Sequence, residues 1–489
     1  MSNVLLVEPD YRSKFPPLGL MKLSTYHKTE GDRVTFVRGR DPDLRSVNWH
    51  RIYVSSLFTW ELPRTLRTIK YYRTAIDNPK DIFVGGTGVT LLPQYIRDQT
   101  DVTVIEGQLD RPNMLGMGSK AVAKLTPDYS IIDDIPNYEY FPADAYFTRI
   151  TRGCIRSCKF CSVPILEREF GFFKNLRKQI EEVDTRYGER QNLVIMDNNI
   201  LGIDRIAAVF QDIAKAGFEA GAKRNGRQRW VDFNQGLDAR LISKDPSLAE
   251  GLASICTSPV RLAFDFVGME RPYRNAVKIL TQHGFTEFTN CMLFNFKDTP
   301  EELYHRIWIN AELNLELGIR ITGFPMRFVP MDDIRRGHVA EQWKWRYLRG
   351  IQCILLATRG LISPNPEFIR AAFGESVDKF FEILAMPDRY IIYRQEYKSN
   401  GADEWRRLFR RLRPHKKGEF LRLLEDLNRN HRQRKQRIAG INGLFAKLLE
   451  HYYPNGDSPP RTPKEDNLLQ QGVSVGQVSR PGAFGQICQ

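Results

Sequence analysis

The sequence has no long apolar run. Nowhere do about 18 or more apolar residues follow one another, which argues against a membrane-spanning helix. The first residues hold one short apolar run, interrupted by Glu8 and Asp10, whereas a secretory signal needs a basic start and a longer apolar stretch. We therefore expect a cytoplasmic protein with no membrane partner.

Cysteine is scarce and unevenly placed. The 489 residues include seven cysteines, and three of them, Cys154, Cys158 and Cys161, lie within one short segment. In a reducing compartment a tight cluster of thiols favours metal binding or catalysis.

The composition is that of an ordinary globular protein, with 42% hydrophobic and 27% charged residues. A chain of 489 residues exceeds the size of one typical core, so two or three domains are expected. The net charge is +14, and residues 401–440 alone hold thirteen basic against five acidic residues. This balance permits an acidic partner such as nucleic acid.

Short β-branched runs alternate with helical patterns over residues 1–110, as in VLLVEP, RVTFVRG and RIYVSSL. This alternation predicts an α/β fold beginning with a Rossmann-like, doubly wound parallel sheet. The glycine cluster 85–88 follows a predicted strand and is explained either by a phosphate site or by a tight turn.

A second alternating series follows a Pro-, Asp- and Tyr-rich linker over 111–147. Six predicted strands with intervening helices over 148–330 indicate a partial (βα) barrel, shorter than a full eight-unit barrel. Residues 331–454 read as a helical, basic region, and residues 455–489 as a disordered tail.

The three clustered cysteines have Cys-x3-Cys-x2-Cys spacing and directly follow the first predicted barrel strand. Three thiolates can bind three irons of a 4Fe–4S cluster and leave the fourth without a protein ligand, whereas electron-carrying clusters use four cysteines. The competing interpretation is chance clustering, or zinc with a distant fourth ligand such as Cys256 or His283.

The spacing, with Phe160 just before the third cysteine, resembles the radical S-adenosylmethionine (SAM) superfamily. The flanks TRG and SVP, together with PPLGLMKLSTY and PDYSIID, resemble the subgroup with an N-terminal cobalamin-binding-type domain. The resemblance implies a 4Fe–4S cluster on Cys154, Cys158 and Cys161 whose open iron chelates SAM. It also implies reductive cleavage of SAM to a 5′-deoxyadenosyl radical, with flavodoxin or ferredoxin as external electron donor.

Polar residues follow the second and third barrel strands, where similar enzymes contact SAM. The resemblance implies a cofactor-binding set that comprises Phe160, Asp197, Asn198, Asn199, Asn234, Gln235, Asp238 and Arg240. Helix capping or loop solvation explains such residues equally well. Asp265 and Arg327 follow later strands and point to the same end of the barrel.

Cobalamin is left open as a third cofactor. Family members that bind it through a histidine often carry Asp-x-His-x-x-Gly, and neither His27 nor His50 follows an Asp at that distance. A histidine-ligated cobalt is therefore not expected.

Aromatic residues interleave with cations in 401–440, as in Trp405-Arg406-Arg407, which suits phosphate contacts and base stacking but also an amphipathic surface helix. Two hypotheses result: a radical SAM enzyme of unknown substrate, and a non-catalytic iron–sulfur or zinc protein that binds nucleic acid through its basic helices.

Overall fold

The computed structural model describes residues 1–116, 120–133, 135 and 138–454. The predicted disordered tail, 455–489, lies outside the described residues. Among the helices of the described part, none is long and apolar enough to cross a membrane.

The N-terminal region is a five-stranded parallel sheet with helices on both faces. Its strands are β1 (Asn3–Glu8), β2 (Arg33–Arg38), β3 (Arg51–Ser55), β4 (Ile82–Gly85) and β5 (Thr103–Val104), in the order β2-β1-β3-β4-β5. Its helices are α1 (Leu18–Thr29), α2 (Pro42–Arg45), α3 (Leu62–Tyr72), α4 (Thr87–Leu91) and α5 (Pro93–Arg97). The strand order reverses direction between β1 and β3, which is where doubly wound sheets open a crevice at their carboxyl ends.

Strand β1 is apolar on both faces because both faces are covered. Val4 and Leu6 belong to one core cluster with residues of α1, whereas Leu5 and Val7 belong to a second with residues of α3. The absence of polar alternation in VLLV is the expected pattern for a central parallel strand.

Six further parallel strands follow in chain order. They are β6 (Ala145–Thr148), β7 (Asn192–Ile195), β8 (Val231–Phe233), β9 (Val260–Ala263), β10 (Glu287–Phe294) and β11 (Arg320–Arg327). They form two three-stranded sheets, β8-β7-β6 and β9-β10-β11, and a parallel bridge between Leu237 and Leu262 joins the two.

The helices that accompany these strands are α6 (Val163–Leu166), α7 (Leu176–Tyr187), α8 (Ile206–Ile213), α9 (Ala239–Lys244), α10 (Ser247–Ala253), α11 (Glu270–Gln282) and α12 (Pro300–Leu317). Because all six strands are parallel, their carboxyl ends meet at one edge. Strand β6 begins at Ala145, inside the segment 111–147 that the sequence assigned to the linker. Its four residues are all buried.

The C-terminal region is helical. It consists of α13 (Trp345–Ala357), α14 (Pro366–Phe373), α15 (Val377–Ala385), α16 (Asp388–Ile392), α17 (Arg394–Tyr397), α18 (Asp403–Arg410), α19 (Pro414–Arg429), α20 (Arg434–Ala439) and α21 (Gly443–Tyr452). One continuous core cluster joins these helices to the six-stranded region. The predicted α/β class is confirmed.

Candidate functional site

The cysteine loop follows β6 at the carboxyl edge of the six strands. Thr151 and Arg152 pair with Phe172 and Gly171 in a short antiparallel ribbon, and Cys154 lies two residues beyond it. Gly153 has φ of +69°, and a Cβ added there would lie 2.3 Å from the carbonyl oxygen of Glu169. Only glycine fits this turn, so the backbone is fixed immediately before the first thiol.

The three thiols are free and partly exposed. The Arg156 N–H donates to Cys154 Sγ at 3.3 Å, and the Val163 N–H donates to Cys161 Sγ at 3.4 Å. Burial raises the pKa of Cys158 and of Cys161, and the neighbouring thiols raise both further. A metal ion or cluster that binds these thiols would displace their protons, because the thiolate is the form that ligates metal.

The cysteine loop fits an iron–sulfur cluster through the chemistry of its sulfur atoms and not through a ready-made arrangement of ligands. Over the described ranges, no group of three or more His, Cys, Asp or Glu side chains has metal-site geometry. The donors nevertheless match in kind, since clusters are held by thiolates whose sulfurs accept hydrogen bonds.

The distant zinc ligands considered from sequence lie at the opposite edge. The Cys256 carbonyl accepts from the first residue of β8, Val231, at 2.8 Å, and His283 directly follows α11 before β10 begins. Both therefore lie at the amino ends of the strands, whereas the cysteine loop lies at the carboxyl ends.

The carboxylate of Asp197, which follows β7, accepts hydrogen bonds from backbone N–H groups. Its buried carboxylate accepts hydrogen bonds from the Ile150 and Thr151 N–H groups and from Thr151 Oγ1 at 2.6 Å. It thus anchors the strand end that leads into the cysteine loop. The structure shows a structural use for this side chain that the sequence assigned to SAM.

Asn198 and Asn199 reach the cysteine loop from the same strand end. Asn198 Nδ2 donates to Glu167 Oε2 at 2.9 Å, and Asn199 Nδ2 donates to Cys154 Sγ at 3.5 Å. Asn199 Oδ1 and Asn234 Oδ1 are buried and have no hydrogen-bond partner among the residues that the structure describes. Unpartnered buried acceptors are costly, and a ligand that carries N–H or O–H donors would satisfy them.

Asp238 forms an ion-pair cluster with two arginines. It caps α9 and pairs with Arg240 at 2.7 Å and with Arg156 of the cysteine loop at 3.0 Å. Burial alone would raise the pKa of Asp238, but the two guanidinium groups hold it below its usual value. The cluster ties the third strand end to the loop.

Three further residues singled out in the sequence, Phe160, Asp265 and Arg327, differ in their surroundings. Phe160 packs edge-to-face on Phe296, with ring centroids 5.7 Å apart. Asp265 lies two residues after β9, and burial raises its pKa to about 6. Arg327 instead donates to the His338 carbonyl at 2.6 Å.

A cavity of about 470 Å³ lies between the N-terminal sheet and the six-stranded region. Its walls include Tyr53, Gly86 and Gln108 on one side, and Glu167 and Gln235 on the other. Sequence reasoning missed Glu167, because a single glutamate after a cysteine loop carries no pattern of its own.

Glycine cluster 85–88 is explained by close packing. A Cβ on Gly86 would lie 2.4 Å from the Ser56 carbonyl oxygen, and one on Gly88 would lie 2.6 Å from Ser56 Oγ. Gly85 and Gly86 also line the cavity, so the close approach shapes its wall.

Both N-terminal histidines have partners within their own domain. His27 is buried and bonds to Asp32 at 2.8 Å and to the Tyr53 hydroxyl at 2.9 Å. His50 Nδ1 accepts from the Asn3 N–H at 3.1 Å.

The basic segment 401–440 keeps its aromatic rings inside. Trp405 and Phe409 are buried and stacked, with centroids 4.6 Å apart. Arg410 pairs with Glu382 at 2.6 Å, whereas Arg407 is exposed without an ion-pair partner among the described residues. These two rings belong to the core, so any base stacking would have to use other side chains, and a nucleic-acid partner remains a prediction.

Comparison with known proteins gives distant matches. No family model matches the chain. An uncharacterized methyltransferase of Synechocystis sp. is 26% identical over 208 residues, which cover 39% of this chain and 37% of that protein. The match thus spans little more than a third of the relative.

Two solved structures also match. One is the apo, selenomethionine-labelled cobalamin-dependent S-adenosylmethionine radical enzyme OxsB, with a TM-score of 0.45, 12% identity, and coverage of 93% of this chain and 75% of that chain. The other is coproporphyrinogen III oxidase HemN from Escherichia coli, titled a radical SAM enzyme, with a TM-score of 0.31, 13% identity, and coverage of 54% and 64%.

Proposed function

We propose that this protein is a radical SAM enzyme whose 4Fe–4S cluster is held by Cys154, Cys158 and Cys161. The observation that carries the proposal is the cysteine loop itself, with three free, partly exposed thiols at the carboxyl edge of six parallel strands. When bound, the cluster would supply the electron that cleaves the SAM sulfonium bond to methionine and a 5′-deoxyadenosyl radical. Flavodoxin or ferredoxin would reduce it.

The chain's own residues hold and orient this site. Asp197 fixes the backbone that enters the loop, and Arg156 with Asp238 fixes the loop against the third strand end. Asn199 Oδ1 and Asn234 Oδ1 are the free acceptors that we assign to the donors of SAM. The six strands, as we interpret them, form the partial barrel around it.

The cavity between the two sheets suits a second cofactor, and we propose a corrinoid bound without a histidine ligand. His27 and His50 have partners within their domain, so neither is free to bind cobalt. The neighbour OxsB is a cobalamin-dependent enzyme by its title. Equilibrium dialysis with hydroxocobalamin tests the idea, and absence of retention by the wild type would refute it.

Anaerobic reconstitution with iron and sulfide tests the main proposal. The wild type should bind about four irons per chain, and with dithionite and SAM it should release 5′-deoxyadenosine. The triple Cys154→Ala, Cys158→Ala, Cys161→Ala variant should do neither. A double Cys256→Ala, Cys353→Ala variant is the matched control, because both thiols are buried elsewhere, and it should behave as the wild type.

Two results would contradict the proposal. Iron binding by the triple variant would show that the ligands lie elsewhere. Stoichiometric zinc, with no 5′-deoxyadenosine from any preparation, would support the non-catalytic hypothesis instead. Reaction type and substrate depend on pocket shape and need a comparison of metabolites in cells with and without the protein.

A further inference from the structure

Glu167 lies at the end of α6, directly behind the cysteine loop, and its side chain is only 8% exposed. The carboxylate faces donors from several parts of the chain. Arg149 Nη1 lies 2.5 Å and Arg149 Nη2 2.6 Å from its two oxygens, the Gly153 N–H donates at 2.7 Å, and Gln108 Nε2 donates at 2.5 Å. Asn198 completes the set.

These partners belong to different elements. Arg149 follows β6, Asn198 follows β7, and Gly153 immediately precedes Cys154, whereas Gln108 follows the N-terminal sheet. One carboxylate therefore joins the first two strand ends, the cysteine loop and the N-terminal domain. Because charge-assisted hydrogen bonds are the stronger kind, this arrangement resists displacement more than neutral contacts would.

The same residues form a wall of the interdomain cavity. Gln108, Arg149, Glu167 and Asn198 all line it, and Glu167 alone among them also bonds to the backbone beside Cys154. The Glu167 side chain and the Gly153 N–H group thus connect the cavity wall to the residue that precedes Cys154. Gly153 cannot yield easily, because its backbone is packed against Glu169.

We propose that Glu167 is a positioning residue that couples the interdomain cavity to the cluster-binding loop. This inference rests on the proposed function and adds to it. The carboxylate sets the position of the loop through Gly153 and Asn198, and the N-terminal domain acts on that position through Gln108. A change at Gln108, which touches no thiol, should therefore alter the properties of the cluster.

A second carboxylate provides a matched control. Glu182 on α7 also joins separate parts of the chain, since it accepts from Thr126 of the 111–147 segment and from Lys174 at 2.8 Å. No hydrogen bond connects it to the cysteine loop in the described part of the chain. Glu167→Gln and Gln108→Ala are thus compared with Glu182→Gln and Thr126→Ala, which remove the same kind of carboxylate contact away from the loop.

The experiment uses the full-length, reconstituted protein and two measurements besides activity. The first is iron retention against a chelator, since loss of an outer partner of a metal ligand typically weakens metal binding by about 10- to 100-fold. The second is the electron paramagnetic resonance spectrum and midpoint potential of the reduced cluster. Glu167→Gln removes a negative charge near the cluster, so its potential should become more positive.

We expect Glu167→Gln to lose iron about tenfold more readily than the wild type, with a changed spectrum. Gln108→Ala removes a donor to the Glu167 carboxylate and leaves its negative charge less compensated, so it should change the spectrum and shift the potential by less and in the negative direction, and both control variants should match the wild type. Wild-type spectra and iron retention in both Glu167→Gln and Gln108→Ala would overturn the inference. So would equal shifts in the Glu182→Gln control. If the wild type binds no iron, the proposed function fails, and this result is distinct from either.

Discussion

Replacing Asp197 by Asn should loosen the backbone that enters the cysteine loop. The carboxylate is 3% exposed and accepts from two backbone N–H groups and one hydroxyl. An amide keeps one acceptor oxygen but places an N–H₂ group where a second oxygen stood. Ile150 N–H then loses its 3.0 Å contact with Oδ2, and the bonds to the remaining oxygen become bonds to a neutral amide.

The cost follows from the hydrogen bonds lost. A hydrogen bond to a charged group contributes about 1.5–3 kcal/mol and one to a neutral group about 0.5–1.5 kcal/mol, so each of the three donors loses about 1 kcal/mol. We therefore expect about 2–3 kcal/mol of local destabilisation. Since about 1.4 kcal/mol corresponds to a factor of ten, the affected amides should exchange with solvent about 30- to 150-fold faster.

Hydrogen–deuterium exchange of the peptide that covers 145–153 measures this effect. Asp204→Asn is the matched control, because it makes the same chemical change at an exposed position in the loop that follows β7. Its exchange in 145–153 should equal that of the wild type. Unchanged exchange in Asp197→Asn, together with weaker SAM binding, would refute the reasoning and assign the carboxylate to the cofactor.

Two further predictions concern charge. Burial raises the pKa of Glu8 to about 7, because it outweighs the hydrogen bonds from Tyr140 and Arg38 that lower it. The pKa in the folded state therefore lies above that in the unfolded state. The free energy of unfolding should fall by about 3 kcal/mol as pH rises from about 4.5 to 7. Denaturation at several pH values should show that Glu8→Gln lacks this loss, and an equal pH dependence in the variant would contradict it. The second prediction concerns the basic segment 401–440: the protein should retain a mixed tRNA pool, and this retention should fall steeply as the salt concentration rises. Replacing the exposed Arg407 and Arg411 by Glu should abolish the retention. No retention by the wild type at low salt would exclude a nucleic-acid partner at this segment.

The sequence predicted the elements well where a pattern repeats along the chain. Five N-terminal and six later strands lie where apolar runs indicated them, because a strand buried on both faces must be apolar whatever its neighbours are. Periodicity was less informative in 401–440. There Trp405 and Phe409 could have faced a ligand or the core, and only the packing of α18 against α21 decides it.

The site was predictable in its location and much less in its details. Strand ends placed Asp197, Asn199 and Asn234 at one edge, but which of them bonds to the backbone and which remains free depends on side-chain direction. Glu167 gave no signal, since its four partners are spread from Gln108 to Asn198 and only the fold brings them together.

The use of polar residues at this edge limits where specificity for the substrate can reside. Asp197, Asp238 and Glu167 are committed to the loop by backbone or arginine contacts, so none has a charge left for the substrate. Asp265 differs, because its charge is near two of the thiols, and burial keeps its pKa at about 6. Asp265 lies two residues after β9, the fourth of the six strands. We therefore expect the residues that select the substrate to lie on the side of the fourth strand end, β9, and not among those that hold the loop.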